Sequence, residues 1–142
     1  MPLARKIATF HRLAWTDKGL VIEAVLWLAI ARVIVLATPF RRVARRLENM
    51  PGSAECDAAL CLRVRRAITI AARNVPWDAV CLPQAMAAKA MLARRGHASV
   101  LHLGVGHDPD GKFIAHAWLV AGDTIVVGAA GVAGLSPLAR FG

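Results

Sequence analysis

Cys81 is the side chain of this chain best placed to act as a nucleophile. It directly precedes Leu82-Pro83. Proline lacks an N–H and clashes with the carbonyl four residues back, so a helix tolerates it only in the first turn. That predicts a helix starting at about Leu82, with Cys81 at its mouth. A thiol there feels about half a positive charge, which favours the thiolate. A matching base lies further on, in FIAHAWLVA from Phe113 to Ala121. This segment reads as a strand, so Ile114, His116, Trp118 and Val120 share one face. His116 is thereby held on a sheet rather than a mobile loop. An imidazole can take the thiol proton and the thiolate can attack a carbonyl. The amides at the helix mouth, that of Cys81 included, can meet the resulting oxyanion. A third group usually orients the imidazole, and Asp123, across a hairpin turn, is the only carboxylate that follows His116.

Competing readings exist for each residue. Taken alone, Cys81 reads first as a small buried residue at a helix start. His97 and His102 read as surface or core histidines, and His107 as a solvated turn residue. His102, His116 and Asp123 match no familiar zinc spacing, and neither metal nor cofactor is expected. Ser99 and Ser136 have no partner motif. With three cysteines and no C-x-x-C pair, the chain carries neither a disulfide framework nor a structural zinc signature. Cys56 and Cys61 read as core filler in a helical segment, and a reducing cytosol is the simplest compartment.

The elements that must position Cys81 and His116 follow from the pattern. Gln84 to Leu92 is rich in strong helix formers, Arg94 and Arg95 suit the last turn, and Gly96 is the expected stop. After Gly96 the period changes to two. Ser99–Val105 is a predicted strand, His107–Lys112 a turn marked by Asp-Pro and Asp-Gly, and Phe113–Ala121 the second strand. Gly122-Asp123 makes a two-residue hairpin turn, and Thr124–Gly128 is the third strand. The small, Gly-rich tail from Ala129 reads as an irregular wrap. Ahead of the cysteine, Ser53 is the expected N-cap of a helix running to about Asn74, after a linker at Glu48–Ser53 broken by Pro51-Gly52. Helices followed by an antiparallel meander make the fold class α+β.

The stretch from Leu20 to Phe40, LVIEAVLWLAIARVIVLATPF, is the main ambiguity. It is about long enough to span a membrane. Glu23 and Arg32 oppose that reading, because a charge near the bilayer centre costs about 2.5–3.5 kcal/mol. At about 100° per residue the two lie on opposite faces. The preferred reading is a long helix that is buried or faces a partner, ended by Pro39. Arg41, Arg42, Arg45 and Arg46 then form a short solvated basic turn. No small-x-small cleavage site follows the apolar run cleanly, so a signal peptide is not expected.

The chain of 142 residues suits one domain with room for an appendage, and contains no internal repeats. Hydrophobic residues make up 57%, enough for an ample core with apolar surface left for a partner or membrane. A net charge of +9 favours phosphates, anionic lipid or an acidic partner. Tyr is missing and few aromatics lie among the arginines, which is poor material for stacking bases; no nucleic-acid partner is expected.

The order W-x-x-x-C-L-x-x-A at Trp77–Ala85, M-L-A-R-R-G at Met91–Gly96, L-H-L-G-V at Leu101–Val105 and A-H-A-W at Ala115–Trp118 resembles the transglutaminase-like protease of lasso-peptide biosynthesis, the B-protein in its short, split form. The PFRRVAR run at Pro39–Arg45 resembles that family's front end. The resemblance implies N-terminal helices over residues 1–50. Residues 51–142 would then form a papain/transglutaminase-like cysteine peptidase core, with a helix packed on a small antiparallel sheet. It implies a cytoplasmic leader peptidase with Cys81 as nucleophile and His116 as base. The implied partners are the leader of a precursor peptide, a separate leader-binding recognition protein, and an ATP-dependent, asparagine-synthetase-like lasso cyclase. Weak membrane association stays open. The family's aspartate often falls near where this chain has Gly128-Ala129, so either Asp123 or a backbone carbonyl is expected to orient the histidine. Two other classes remain: an inactive transglutaminase-like binding module, and a membrane-associated protein anchored by Leu20–Leu36.

Overall fold

The computed structural model describes residues 4–5, 8, 11–50, 52–129 and 135–142. Pro51 of the expected linker and residues 130–134 of the expected tail lie outside the described residues. Among the described residues, helices α1 (Trp15–Ala37), α2 (Phe40–Glu48), α3 (Ala58–Asn74) and α4 (Cys81–Arg94) precede strands β1 (Val100–His107), β2 (Phe113–Ala121), β3 (Thr124–Val127) and β4 (Ser136–Phe141). The strands form one antiparallel sheet in the order β3-β2-β1-β4. The architecture is α+β, as expected.

Helix α4 is the axis of the molecule. From Ala85 to Ala93 every side chain is buried, because α1 and α3 pack on it from one side and the sheet from the other. Five alanines in this stretch keep the neighbours close, and the larger Met91 and Leu92 fill the remaining space. A helix enclosed on all sides has no polar stripe, and α4 accordingly lacks one. Its end is a Schellman motif. Gly96 takes a left-handed φ of 80°, its N–H reaches the Ala93 carbonyl, and the His97 N–H reaches that of Leu92.

Helix α3 starts four residues later than its expected Ser53 cap would place it. Asp57 is the N-cap, its carboxylate accepting from the Leu60 N–H at 3.0 Å, a contact worth about 1 kcal/mol. Ser53 and Ala54 are committed elsewhere: their amides bond to the Gly96 carbonyl, and the Ala98 N–H bonds back to Ala54. The basic turn after Pro39 is a full helix, α2, with Val43 and Leu47 buried and its arginines outside. Phe40 at its start meets Phe141 of β4 edge to face, ring centroids 6.2 Å apart.

The expected irregular tail is in part a strand. Residues 136–141 pair with the free edge of β1, from Leu101↔Phe141 to Val105↔Ser136. Pro137 is tolerated because β4 is an edge strand. The core is continuous from Leu13 in front of α1 to Phe141 in β4. Leu28, Leu47, Ile68, Met91, Leu101 and Leu119 are among its fully buried members, each worth about 1.5–3 kcal/mol of burial.

Candidate active site

Cys81 is the first residue of α4, and its side chain is half-buried. Val80 before it offers no side-chain cap. The Gln84 N–H is bonded to the Val80 carbonyl, and Pro83 has no N–H to offer. The amides of Cys81 and Leu82 make no hydrogen bond among the described residues. Two free donors therefore flank the thiol at the positive end of the helix, the arrangement an oxyanion requires. Trp77, in the turn leading to Cys81, buries its indole N–H without a partner among the described residues.

His116 sits midway along β2. Strand alternation sends Ala117, Leu119 and Ala121 into the helix-facing core and puts His116 and Trp118 on the other side. There the rings form a stack. His102 lies parallel to Trp118 with centroids 5.4 Å apart, and His116 flanks Trp118 at 6.2 Å. Gly104, paired with His116 across β1, makes room for the indole: a Cβ at Gly104 would come within 2.8 Å of the Trp118 ring. Burial, then the Arg140 guanidinium, hold His102 below the usual histidine pKa.

The hydrogen bond that orients His116 comes from the main chain. Its Nε2 lies 2.9 Å from the carbonyl oxygen of Gly128, just past β3. A carbonyl only accepts, so Nε2 carries the proton and Nδ1 keeps the lone pair. Gly128 takes a φ of 87°, and a Cβ there would come within 2.7 Å of the Ala117 carbonyl, so glycine is required for this approach. Arg65 of α3 fixes the preceding residues, its Nε donating to the Val126 carbonyl at 3.1 Å and its Nη2 to that of Ile125. A cavity of about 180 Å³ lies between these parts, lined by Arg65 and Thr69 of α3, Gln84 of α4 and Val126–Ala129. It links the first turn of α4 to the carbonyl that holds His116.

Of the three residues expected to act together, the structure sets two on adjoining elements and leaves the third apart. Helix α4 packs on β2, but the Cys81 thiol makes no hydrogen bond among the described residues. Asp123 is exposed in the turn after β2. Five strand residues, about 16 Å of rise, separate His116 from that end of β2. The expected alternative, a backbone carbonyl, is the contact present. The resemblance pointed to Gly128-Ala129 only as the place of the family's aspartate; which carbonyl would serve was not legible, because a carbonyl contact leaves no side-chain signature.

The remaining cysteines are close neighbours. The Cys61 thiol donates to Cys56 Sγ at 2.7 Å. Burial, then that bond, push the Cys56 thiol up to about 12. Cys61 belongs to α3 and is buried, as expected of core filler, whereas Cys56 precedes the helix.

A sequence model of the transglutaminase-like superfamily matches residues 24–140, from the third turn of α1 to the penultimate residue of β4. No curated protein and no solved structure matches the chain.

Proposed function

Because the chain belongs to the transglutaminase-like superfamily, we propose that it is a cysteine peptidase that removes the leader from a lasso-peptide precursor. The observation that carries the reading is the pairing of two half-sites on one frame. One is a thiol at a helix mouth with two unpaired amides beside it. The other is an imidazole whose Nε2 proton is held by Gly128, leaving Nδ1 as the free base. In the proposed reaction Nδ1 of His116 takes the Cys81 proton. The thiolate attacks the carbonyl at the end of the leader, and the amides of Cys81 and Leu82 receive the oxyanion. The imidazolium then protonates the departing amine, and water attacks the thioester to release the leader as an acid. The freed amine is the new N-terminus of the core peptide, the group an asparagine-synthetase-like cyclase would join into a ring. The thiol and the imidazole are not hydrogen-bonded in this structure and His116 lies on the sheet face away from the packed helices, so the reaction requires substrate binding to bring the two groups together.

The sequence motifs from Trp77 to Trp118 support the lasso assignment. The proposed partners are a leader-binding protein that presents the precursor and the cyclase that takes the product, in the cytoplasm. One observation favours a second reading, a non-catalytic binding module: the thiol lacks a hydrogen bond to the imidazole. Incubation with precursor and leader-binding partner, followed by mass spectrometry, separates the two. Leader release by the wild type, lost in Cys81→Ala and in His116→Ala, is the expected result. Equal cleavage by Cys81→Ala, or none by folded wild-type protein with the partner present, would sink the peptidase reading.

A further inference from the structure

Helix α1 is apolar on two opposite faces, and only one of them is used. Leu20, Val21, Ala24, Leu28 and Ala31 are buried where the helix packs on α3 and α4. Trp15, Ile22, Leu26, Val33 and Leu36 are exposed, Leu26 to 60% and Val33 to 63%. At about 100° per residue these five fall within an arc of about 80°, facing away from the buried set. Seven of the thirteen exposed large apolar side chains among the described residues belong to α1, and Phe40 follows directly after it. The stripe runs the length of the helix, far longer than the isolated apolar contacts ordinary surfaces show.

The surroundings of the stripe are cationic. A groove of about 510 Å³ opens alongside it, with Gly19, Ile22 and Leu26 on one side and Arg63, Arg94 and Arg95 among its other walls. Among the described residues lining it, Glu23 is the only acid against three arginines; it pairs with Arg94 and Arg95, and Arg63 lies 3.4 Å from Asp17 at its margin. At the far end of the helix Arg41, Arg42, Arg45 and Arg46 are all exposed on α2.

We propose that this face of α1 lies on an anionic lipid bilayer, with the apolar stripe in the acyl boundary and lipid phosphates against the arginines of the groove and of α2. An interfacial helix needs one apolar face and a polar, cationic remainder; here the body of the protein, with its arginines, supplies the remainder. A membrane-spanning arrangement is disfavoured because it would strip Leu20, Val21, Ala24, Leu28 and Ala31 from the core and break the bidentate pair of Glu23 with Arg95. A second copy of the chain is disfavoured by charge, since each copy carries +9 and the α2 arginines would sit beside the shared face. Docking of this kind does not depend on the reaction assigned to Cys81.

Co-sedimentation of the full chain with vesicles tests it. The wild type is expected to pellet with phosphatidylglycerol/phosphatidylcholine vesicles and to remain largely in solution with phosphatidylcholine alone. Leu26→Glu/Val33→Glu should abolish pelleting with an unchanged circular-dichroism melt. Arg94→Gln, at a side chain 65% exposed, should weaken partitioning onto the anionic vesicles about fivefold, the worth of one basic residue near such a surface. Wild-type protein that stays in solution with anionic vesicles at low salt would overturn the proposal. So would equal binding to both vesicle types unaffected by Arg94→Gln. A dimer in sedimentation velocity that Leu26→Glu/Val33→Glu dissociates, without vesicle binding by the wild type, would instead assign the stripe to self-association.

Discussion

The imidazole of His116 donates its Nε2 proton to the main-chain carbonyl of Gly128, 2.9 Å away. The family's aspartate, in the resemblance drawn from the sequence, often falls at this point of the chain. A peptide carbonyl fixes the ring and its tautomer as a carboxylate would, but brings no full negative charge to an imidazolium. Orientation is therefore retained while charge stabilisation is reduced. Gly128→Ala should disturb it, because the new Cβ would press on the Ala117 carbonyl and on Trp118. A misplacement of about 1 Å at a catalytic group costs on the order of 10²-fold in rate. Leader-cleavage kinetics should show that loss in kcat for Gly128→Ala, whereas Asp123→Asn should stay within about twofold of wild type. A large loss in Asp123→Asn with Gly128→Ala unaffected would return the orienting role to Asp123.

The three thiols should react very unequally. Cys61 is fully buried and out of reach of a reagent, and the Cys56 thiol is pushed up to about 12, so it presents little thiolate near neutral pH. Cys81 is half-buried at the open start of α4, and its thiol has no hydrogen-bond partner among the described residues. Iodoacetamide at about pH 7.5 should give one adduct on the folded protein, mapped by peptide mass spectrometry to Cys81, and three in urea. An adduct on Cys56 in the folded protein would contradict the raised pKa of that thiol.

The parts of the site legible in the sequence were those written in side chains and backbone constraints. Pro83 and Gly96 bracket α4, and the alternation of FIAHAWLVA with Gly122-Asp123 marks β2 and its turn; the structure places all of these within a residue or two. Strand β4 was not legible, because Ser136-Pro137-Leu138 carries no alternation and its pairing with β1 is set by partners over 30 residues away in sequence. Asp57 prevailed over Ser53 as a cap because the latter's segment is tied down by the Gly96 turn, a long-range contact with no local sign. Asp123 had the right chemistry at the wrong distance. The strand rise, counted from His116 to the turn, was the available signal that it could not reach.

Glu23 joins α1 to the end of α4. Its carboxylate accepts two bonds from Arg95, at 2.9 and 2.7 Å, and lies 3.2 Å from Arg94. The Arg95 hydrogen bonds hold it below the usual carboxylate pKa, against the opposing effect of burial. Because the folded-state value is the lower one, the contribution is full above the ordinary carboxylate range and is lost as pH falls through the depressed value. Glu23→Gln should therefore cost about 1 kcal/mol near neutrality, a figure discounted for the exposure of both arginines. Urea unfolding should show the difference at pH 7 and its disappearance in strong acid. A constant difference across that range would mean that the carboxylate charge is not what stabilises the contact.

His102 adds a second loss of stability with falling pH, in a higher range than Glu23, on a face of the sheet that also holds His116. It stacks on Trp118 at an interplanar angle of 8°, and burial together with Arg140 lowers its pKa. The unfolded chain takes the proton first, so as pH falls below about 6.5 the folded state loses stability until the depressed value is passed. His102→Phe keeps an aromatic plane against Trp118 and removes the titration. The drop in urea midpoint between pH 7.5 and pH 5 should then be smaller for His102→Phe than for wild type. Equal drops in the two proteins would show that the proton on His102 is not linked to folding, and that the stack tolerates an imidazolium beside Arg140.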